Sequence, residues 1–210
     1  MALKYMKKIV NNISLALLML IFAFNSYAQN AANILAQASN KFTNSKSITA
    51  SFSIIDNGHS QNGSITVAGN KFVVTTPQLS TWFDGKTQWS YAPNVNEVNI
   101  TNPTADELQQ INPFAIISSF RNNFNASMLN SAKGTYKIQL TPKKSKQSIK
   151  KVELTLSSST YYPSLIVITA KNNTKATIKV KSINAGNTQS ASTFTFNAKK
   201  YPGVEVIDLR

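Results

Sequence analysis

The sequence of 210 residues contains no cysteine, one histidine and only eight acidic side chains. Without cysteine the chain forms no disulfide, so its stability must come from a buried apolar core. His59 lies between two turn signals, Asn57-Gly58 and Asn62-Gly63. A metal site or a catalytic triad at His59 would need partners that such a sequence hardly supplies. No segment resembles a glycine-rich phosphate loop, and we expect no catalytic residue, no metal site and no cofactor.

The N-terminal segment has the order of a secretory signal. Three lysines precede an apolar run from Ile13 to Phe24, which only Ser14 interrupts, and small residues follow at Ser26 and Ala28. This order predicts a signal peptide over residues 1–28 with cleavage after Ala28. A retained anchor is the alternative, but the run is shorter than the span of about 20 apolar residues that a membrane helix needs. No cysteine follows the run, so lipid modification by the bacterial lipoprotein route is excluded.

The remaining 182 residues fit one domain over 29–210, because no Gly/Pro/Ser-rich linker and no internal repeat divides them. This part carries 19 basic and 8 acidic side chains, a net charge of +11. Export removes nucleic acid from reach, so the excess charge points to anionic membrane surface, to acidic protein partners or simply to solubility.

Two segments have helical patterns. Residues 31–44 place apolar side chains at spacings of three, four and seven, which is typical of an amphipathic helix. In the middle of the chain, Thr104 and Glu107 have the spacing of a capping box. Asn112 followed by Pro113 is a second helix start, and the apolar face that follows is unusually broad.

The rest of the chain alternates apolar and polar residues between turn signals, which predicts about 10 or 11 short strands in a barrel or sandwich. The alternating runs are Ile48 to Ile54, Ile65 to Val67, Phe72 to Val74, Thr87 to Tyr91, Val98 to Ile100, Tyr136 to Leu140, Val152 to Leu156, Leu165 to Ile168, Ala176 to Val180, Phe194 to Phe196 and Val204 to Ile207. A wide sheet that does not close leaves a hollow, which helices with broad apolar faces can cover as a lid. The alternative is that the apolar side chains of the central helix are ordinary core under a closed barrel.

Two segments in a fixed order carry a resemblance to a known family. They are residues 84–93 (DGKTQWSYAP) and residues 112–117 (NPFAII), supported by residues 51–52 (SF), 140–143 (LTPK), 194–196 (FTF) and 203–206 (GVEV). In this order they resemble the LolA-type family of periplasmic outer-membrane lipoprotein carriers, over essentially all of 29–210.

The resemblance implies a mainly β fold with some helix. Its core would be a single unclosed antiparallel β-barrel under a lid of short helices. An apolar cavity would shield the acyl chains of a lipoprotein, or of a related lipid, in the periplasm. The partners implied are an inner-membrane transporter that releases the cargo and an outer-membrane acceptor. We expect a monomer that makes and breaks no bond. Well-known proteobacterial members of the family have an arginine that holds the lid, in the strand that aligns with residues 67–71. Here Gly69 or Asn70 stands in its place, which leaves the cargo and the lid movement open.

Five side chains are expected to line the cavity: Phe52, Trp89, Phe114, Ile117 and Phe120. A lysine-rich segment around Lys143, Lys144 and Lys146 is expected to be a docking patch, with a solvated hairpin loop as the alternative. Two further functions remain open beside the carrier. One is an envelope sensor of lipid or lipoprotein with the same fold, and the other is a hydrolase, for which no nucleophile–base pair is visible.

Overall fold

The computed structural model describes residues 30–56, 58–104, 107–108, 111–144 and 148–210. The predicted signal peptide and its cleavage position lie outside the described residues, and so does Lys146. No helix in the described ranges is long and apolar enough to span a membrane.

Two α-helices and twelve β-strands form most of the described chain. The helices are α1 over residues 30–44 and α2 over Pro113–Asn123, and residues 107, 108 and 111 are also helical. The strands are β1 Ser47–Asp56, β2 His59–Ala68, β3 Lys71–Thr75, β4 Ser80–Phe83, β5 Gln88–Ala92, β6 Glu97–Thr101, β7 Phe124–Leu129, β8 Thr135–Pro142, β9 Ile149–Ser157, β10 Pro163–Ala170, β11 Lys175–Gly186 and β12 Glu205–Asp208. Two 3-10 turns, Ala191–Phe194 and Ala198–Lys200, precede β12.

All twelve strands belong to one sheet in the order β12-β6-β5-β4-β3-β2-β1-β11-β10-β9-β8-β7. Neighbouring strands are antiparallel except β12, which runs parallel to β6. The two edge strands, β12 and β7, do not pair with each other, so the sheet of the described residues is not closed into a barrel. The predicted fold class, mainly β with an unclosed sheet and helices, is confirmed.

The sheet has more strands than the 10 or 11 predicted. Strands β4 and β7 were not expected, whereas the run from Phe194 to Phe196 was expected to be a strand and is not one. Phe194 ends a 3-10 turn and Phe196 follows it. Both rings pack against other parts of the protein from an irregular segment, and their spacing of two imitates the alternation of a strand.

One face of the sheet, here called the inner face, packs against both helices. Its buried side chains include Ile48, Ala50 and Phe52 of β1, and they form one cluster with the apolar sides of α1 and α2. Strands β8 to β11 contribute alternate residues to the same cluster, as a half-buried sheet requires. Gly63 of β2 makes room for Phe52, since a Cβ at Gly63 would lie 2.6 Å from the Phe52 ring.

The opposite face, here called the outer face, is covered in part by the C-terminal segment over residues 187–204. After β11 this segment crosses the sheet and reaches β12 at the far edge. Its rings Phe196 and Tyr201 pack on the sheet residues Trp82 and Tyr91, with ring centroids 4.5 to 6.3 Å apart. The aromatic contacts hold the C-terminal segment on β4 and β5.

Candidate functional site

Helix α2 begins at the position that the sequence predicts. The side chain of Asn112 accepts a hydrogen bond of 3.0 Å from the backbone N–H of Phe114, and Pro113 occupies the first helical position. The upstream capping box is also present, because the backbone N–H of Thr104 donates to Glu107 Oε2 at 2.7 Å. The hydrogen bonds from Thr104 hold the pKa of the Glu107 carboxyl below its ordinary value. Asn112 therefore fixes the start of α2, and the capping box marks the start of the helical residues that precede it.

The two sides of α2 have different roles. Phe114, Ile116, Ile117 and Phe120 are buried in the inner-face cluster. On the other side, Ala115 borders an open pocket together with Ser118 and Ser119 one turn further along and Asn122 two turns further along. The broad apolar face predicted from the sequence is therefore mostly core, and a mainly small and polar side faces the pocket.

The pocket lies between α2, the end of α1 and strands β2 to β4, and its volume is about 540 Å³. Its apolar wall includes Phe42, Val67, Phe72, Phe83 and Phe114. The rings are paired, with centroids 5.5 Å apart for Phe42 and Phe114 and 5.4 Å apart for Phe72 and Phe83. A volume of this size falls in the ordinary range for small-molecule sites.

The rim of the pocket is polar but uncharged. It carries hydroxyl and amide groups from Thr43, Asn70, Asn112, Ser118, Ser119, Asn122 and Asn123. None of the described lining residues is acidic or basic. An apolar wall with an uncharged rim suits a ligand with a long apolar portion, since no buried charge would have to be neutralised.

Two hairpin turns, at Gly69-Asn70 and at Gly85, close one side of the rim. Gly85 has φ +104°, a conformation that other residues rarely adopt, and a Cβ there would lie 2.8 Å from Asn70 Nδ2, so a larger residue would also displace the Asn70 side chain. Asp84 supports this turn by accepting hydrogen bonds from the backbone N–H groups of Lys86 and Thr87 at 2.9 and 2.8 Å. Gly69 and Asn70, where the family resemblance implies an arginine, therefore stand at the rim.

The five predicted cavity residues do not lie together. Phe114 lines the pocket, and Phe52, Ile117 and Phe120 are buried in the adjoining cluster without bordering the open space. Trp89 lies on the outer face, because it pairs with Trp82 while the next pair along, Phe83 with Gln88, faces inward. Successive side chains of a strand alternate between faces, so Trp89 cannot reach the pocket.

The other three phenylalanines of the pocket, Phe42, Phe72 and Phe83, were not predicted as cavity residues. Phe72 and Phe83 are directly opposite each other in the β3–β4 pair. The alternation of Phe72 with Val74 indicated a half-buried strand but not which apolar residues would meet α1 and α2.

Of the three predicted docking lysines, the structure describes Lys143 and Lys144 but not Lys146. Lys143 Nζ donates a 2.6 Å hydrogen bond to the carbonyl oxygen of Arg121, in the last turn of α2. The backbone N–H of Lys143 donates to the carbonyl of Asn123, a rim residue, at 2.9 Å. Lys143 thus satisfies a carbonyl at the helix end and places its charge where the helix dipole favours a cation.

Two acidic side chains, Asp84 and Glu153, are engaged in contacts with their neighbours. Glu153 lies between Lys151 and Lys137, with N–O distances of 2.6 and 3.5 Å. The hydrogen bond from Lys151 holds the pKa of Glu153 below its ordinary value. Asp84 and Glu153 are separated by several strands of the sheet. His59 is exposed at the start of β2, and no group of three or more potential metal-binding side chains occurs in the described ranges.

Fold and site together define a class of protein: an unclosed β-sheet that wraps two helices and leaves an uncharged, phenylalanine-walled pocket beneath one of them. The model of the family described as outer membrane lipoprotein carrier protein LolA matches residues 21–173. Because that match covers more than half of the sequence, the chain belongs to the LolA family.

Several solved structures are similar to this chain at low sequence identity. An uncharacterised conserved protein from Thermus thermophilus is 13% identical with a TM-score of 0.60, covering 85% of this chain and 99% of its own. A DUF1329 family protein from Desulfovibrio piger is 10% identical with a TM-score of 0.51, covering 80% and 97%. A LolA superfamily protein from Nitrosomonas europaea is 13% identical with a TM-score of 0.46, covering 79% and 97%. No curated protein sequence matches this chain. For the first two structures, the likeness at these identities is one of fold alone.

Proposed function

We propose that this protein is a periplasmic carrier that shields the acyl chains of lipoproteins, or of related lipids, during transport to the outer membrane. The observation that carries the proposal is the uncharged pocket of about 540 Å³, with its four phenylalanine rings, beneath α2. Membership of a family described as an outer membrane lipoprotein carrier supports the same function. The protein would act by binding and release, without catalysis or a cofactor.

Desolvation of the acyl chain would supply the affinity. Each buried methylene contributes about 0.8 kcal/mol, so a chain with about ten buried methylenes gains on the order of 8 kcal/mol before ordering costs. Such a ligand leaves slowly without help. The proposal therefore includes a transporter at the inner membrane that loads the carrier and an acceptor at the outer membrane that receives the cargo.

Export precedes this function in the proposal. The segment 1–28 would direct the chain across the inner membrane and be removed after Ala28, and the carrier would work as a monomer. With Gly69 and Asn70 at the rim in place of an arginine, the movement of α2 would depend on its apolar contacts and not on a side-chain latch.

A saturable, one-to-one titration with a fluorescent fatty acid tests the proposal. The probe should be displaced by an acylated lipopeptide and not by the same peptide without its acyl chains.

The lysine-rich segment is proposed to speed encounter with an acidic partner surface. Changing Lys143, Lys144 and Lys146 to glutamine should slow the handover of an acyl probe to acceptor vesicles at low salt, and the difference should shrink at high salt. Thermal stability should fall only slightly, because the lost contact of Lys143 with the end of α2 contributes about 0.3–1 kcal/mol.

The matched control replaces the exposed lysines Lys133, Lys199 and Lys200 by glutamine, which removes the same charge elsewhere. Equal handover rates for the two triple variants would show that net charge, and not this segment, sets the rate.

A further inference from the structure

Most charged side chains of strands β8 to β11 lie on the outer face of the sheet. On β11, Ile178 is buried on the inner face, so Lys175 and Lys179 project from the outer face. Lys181 occupies a bulge in β11, and its side chain reaches across β1 to β2, because its Nζ donates to Asn62 Oδ1 at 2.7 Å. These three lysines are exposed.

Two further lysines, Lys151 of β9 and Lys137 of β8, extend the same surface. Both alternate with inward side chains of the core, Val152 and Ile138. The acid among these outward positions is Glu153, which both lysines already contact. The described part of this surface therefore carries five ammonium groups and one carboxylate.

Half-exposed aliphatic side chains lie between the lysines. Leu165 of β10 is directly opposite Lys179. Val167 is opposite Thr177, which in turn is opposite Ile55 of β1. The three aliphatic side chains are each partly exposed on the outer face. Lysines around a small aliphatic patch are the chemistry of a membrane-surface contact, because ammonium groups reach lipid phosphates while aliphatic groups meet the acyl boundary.

The described residues leave this half of the outer face open. The C-terminal segment leaves β11 at Gly186 and packs on β4 and β5, the other half of the sheet. The pocket lies on the inner face, so contact at the outer face would leave its rim free.

We propose that the outer face of β8 to β11 docks the protein on an anionic lipid bilayer. An acidic protein would need a matching pattern of carboxylates, whereas a bilayer of anionic lipids can adapt to any spacing of lysines and also accept the aliphatic patch. Docking in this orientation would hold the carrier at the membrane and present the pocket to its partners. The inference is independent of what the pocket binds.

Vesicle sedimentation with the purified chain tests the docking surface. The protein should bind vesicles that contain phosphatidylglycerol, should not bind vesicles of pure phosphatidylcholine, and should be released by salt. Changing Lys175, Lys179 and Lys181 to glutamine should weaken binding by roughly fivefold for each lysine, about 100-fold for the triple variant. Changing the same lysines to arginine should preserve binding, which separates loss of charge from loss of fold.

The control variant changes Lys41, Lys86 and Lys133 to glutamine, three exposed lysines outside this surface. It should keep binding within about fivefold of the parent protein. The proposal is overturned if both glutamine variants weaken binding equally, if neither does, or if the parent protein ignores phosphatidylglycerol vesicles. Binding of the acyl probe is measured separately, so failure of docking and failure of the carrier proposal are distinguishable.

Discussion

Replacing Ala115 by phenylalanine should weaken binding of a fluorescent fatty acid more than tenfold. Ala115 is half-buried on the pocket side of α2, and the added ring would occupy space that the proposed acyl chain needs. Excluding two methylene groups costs about 1.6 kcal/mol, which already exceeds a tenfold change in affinity. A titration of probe fluorescence against protein concentration measures the effect.

The matched control is Ala132→Phe. Ala132 is exposed ahead of β8 and does not border the pocket, so the variant should bind the probe as the parent protein does. Circular dichroism and thermal melting should show that Ala115→Phe remains folded. Undiminished probe binding by a folded Ala115→Phe variant would place the ligand elsewhere.

Replacing Ile117 by alanine should lower the free energy of unfolding by about 2–5 kcal/mol, through lost burial and a new cavity. The side chain has 0% exposure and belongs to the cluster that joins α2 to the sheet. Because Ile117 does not border the open pocket, probe affinity should change little at temperatures where the variant is folded. Chemical denaturation of both proteins gives the difference.

Val206→Ala is the control for this measurement. Val206 is 51% exposed on β12, and its truncation should change stability by no more than about 0.5 kcal/mol. If Ile117→Ala lowers the free energy of unfolding as little as this control does, and probe affinity falls, then Ile117 lines the ligand space and is not part of the core.

The helices and most strands could be predicted because their signals are local. The apolar spacing in residues 31–44 matches α1, and Asn112 caps α2 through a contact two residues away. The family resemblance supplied the unclosed sheet. A purely local pattern does not distinguish a closed barrel from an open one, since closure depends on whether β12 and β7 meet.

The errors occurred where distant parts of the chain decide the outcome. Strand β12 was predicted as a strand, but its parallel pairing with β6 was not, because the paired residues, such as Glu205 and Glu97, lie 108 positions apart in sequence. The C-terminal segment before β12 takes irregular structure because it packs on an existing sheet face. Strand β7 follows α2 without a loop, so the apolar Phe124 at their junction fits either element.

Assignment of side chains to the pocket was the least predictable step. Trp89 and Phe83 are both aromatic residues beside the same turn, yet they lie on opposite faces. Which face is inner depends on where the helices pack, and that information is not in the hairpin. Phe114 does border this pocket, because it lies on the helix that forms one wall, and its contact with a ligand stays a prediction.

The central claim is that the pocket beneath α2 takes an acyl chain, and titration of the delipidated protein with a fluorescent fatty acid tests it most directly. The account predicts saturable binding at one site, displaced by an acylated lipopeptide and not by the same peptide without acyl chains. Absence of saturable binding by the parent protein, or equal displacement by the peptide without acyl chains, would contradict it.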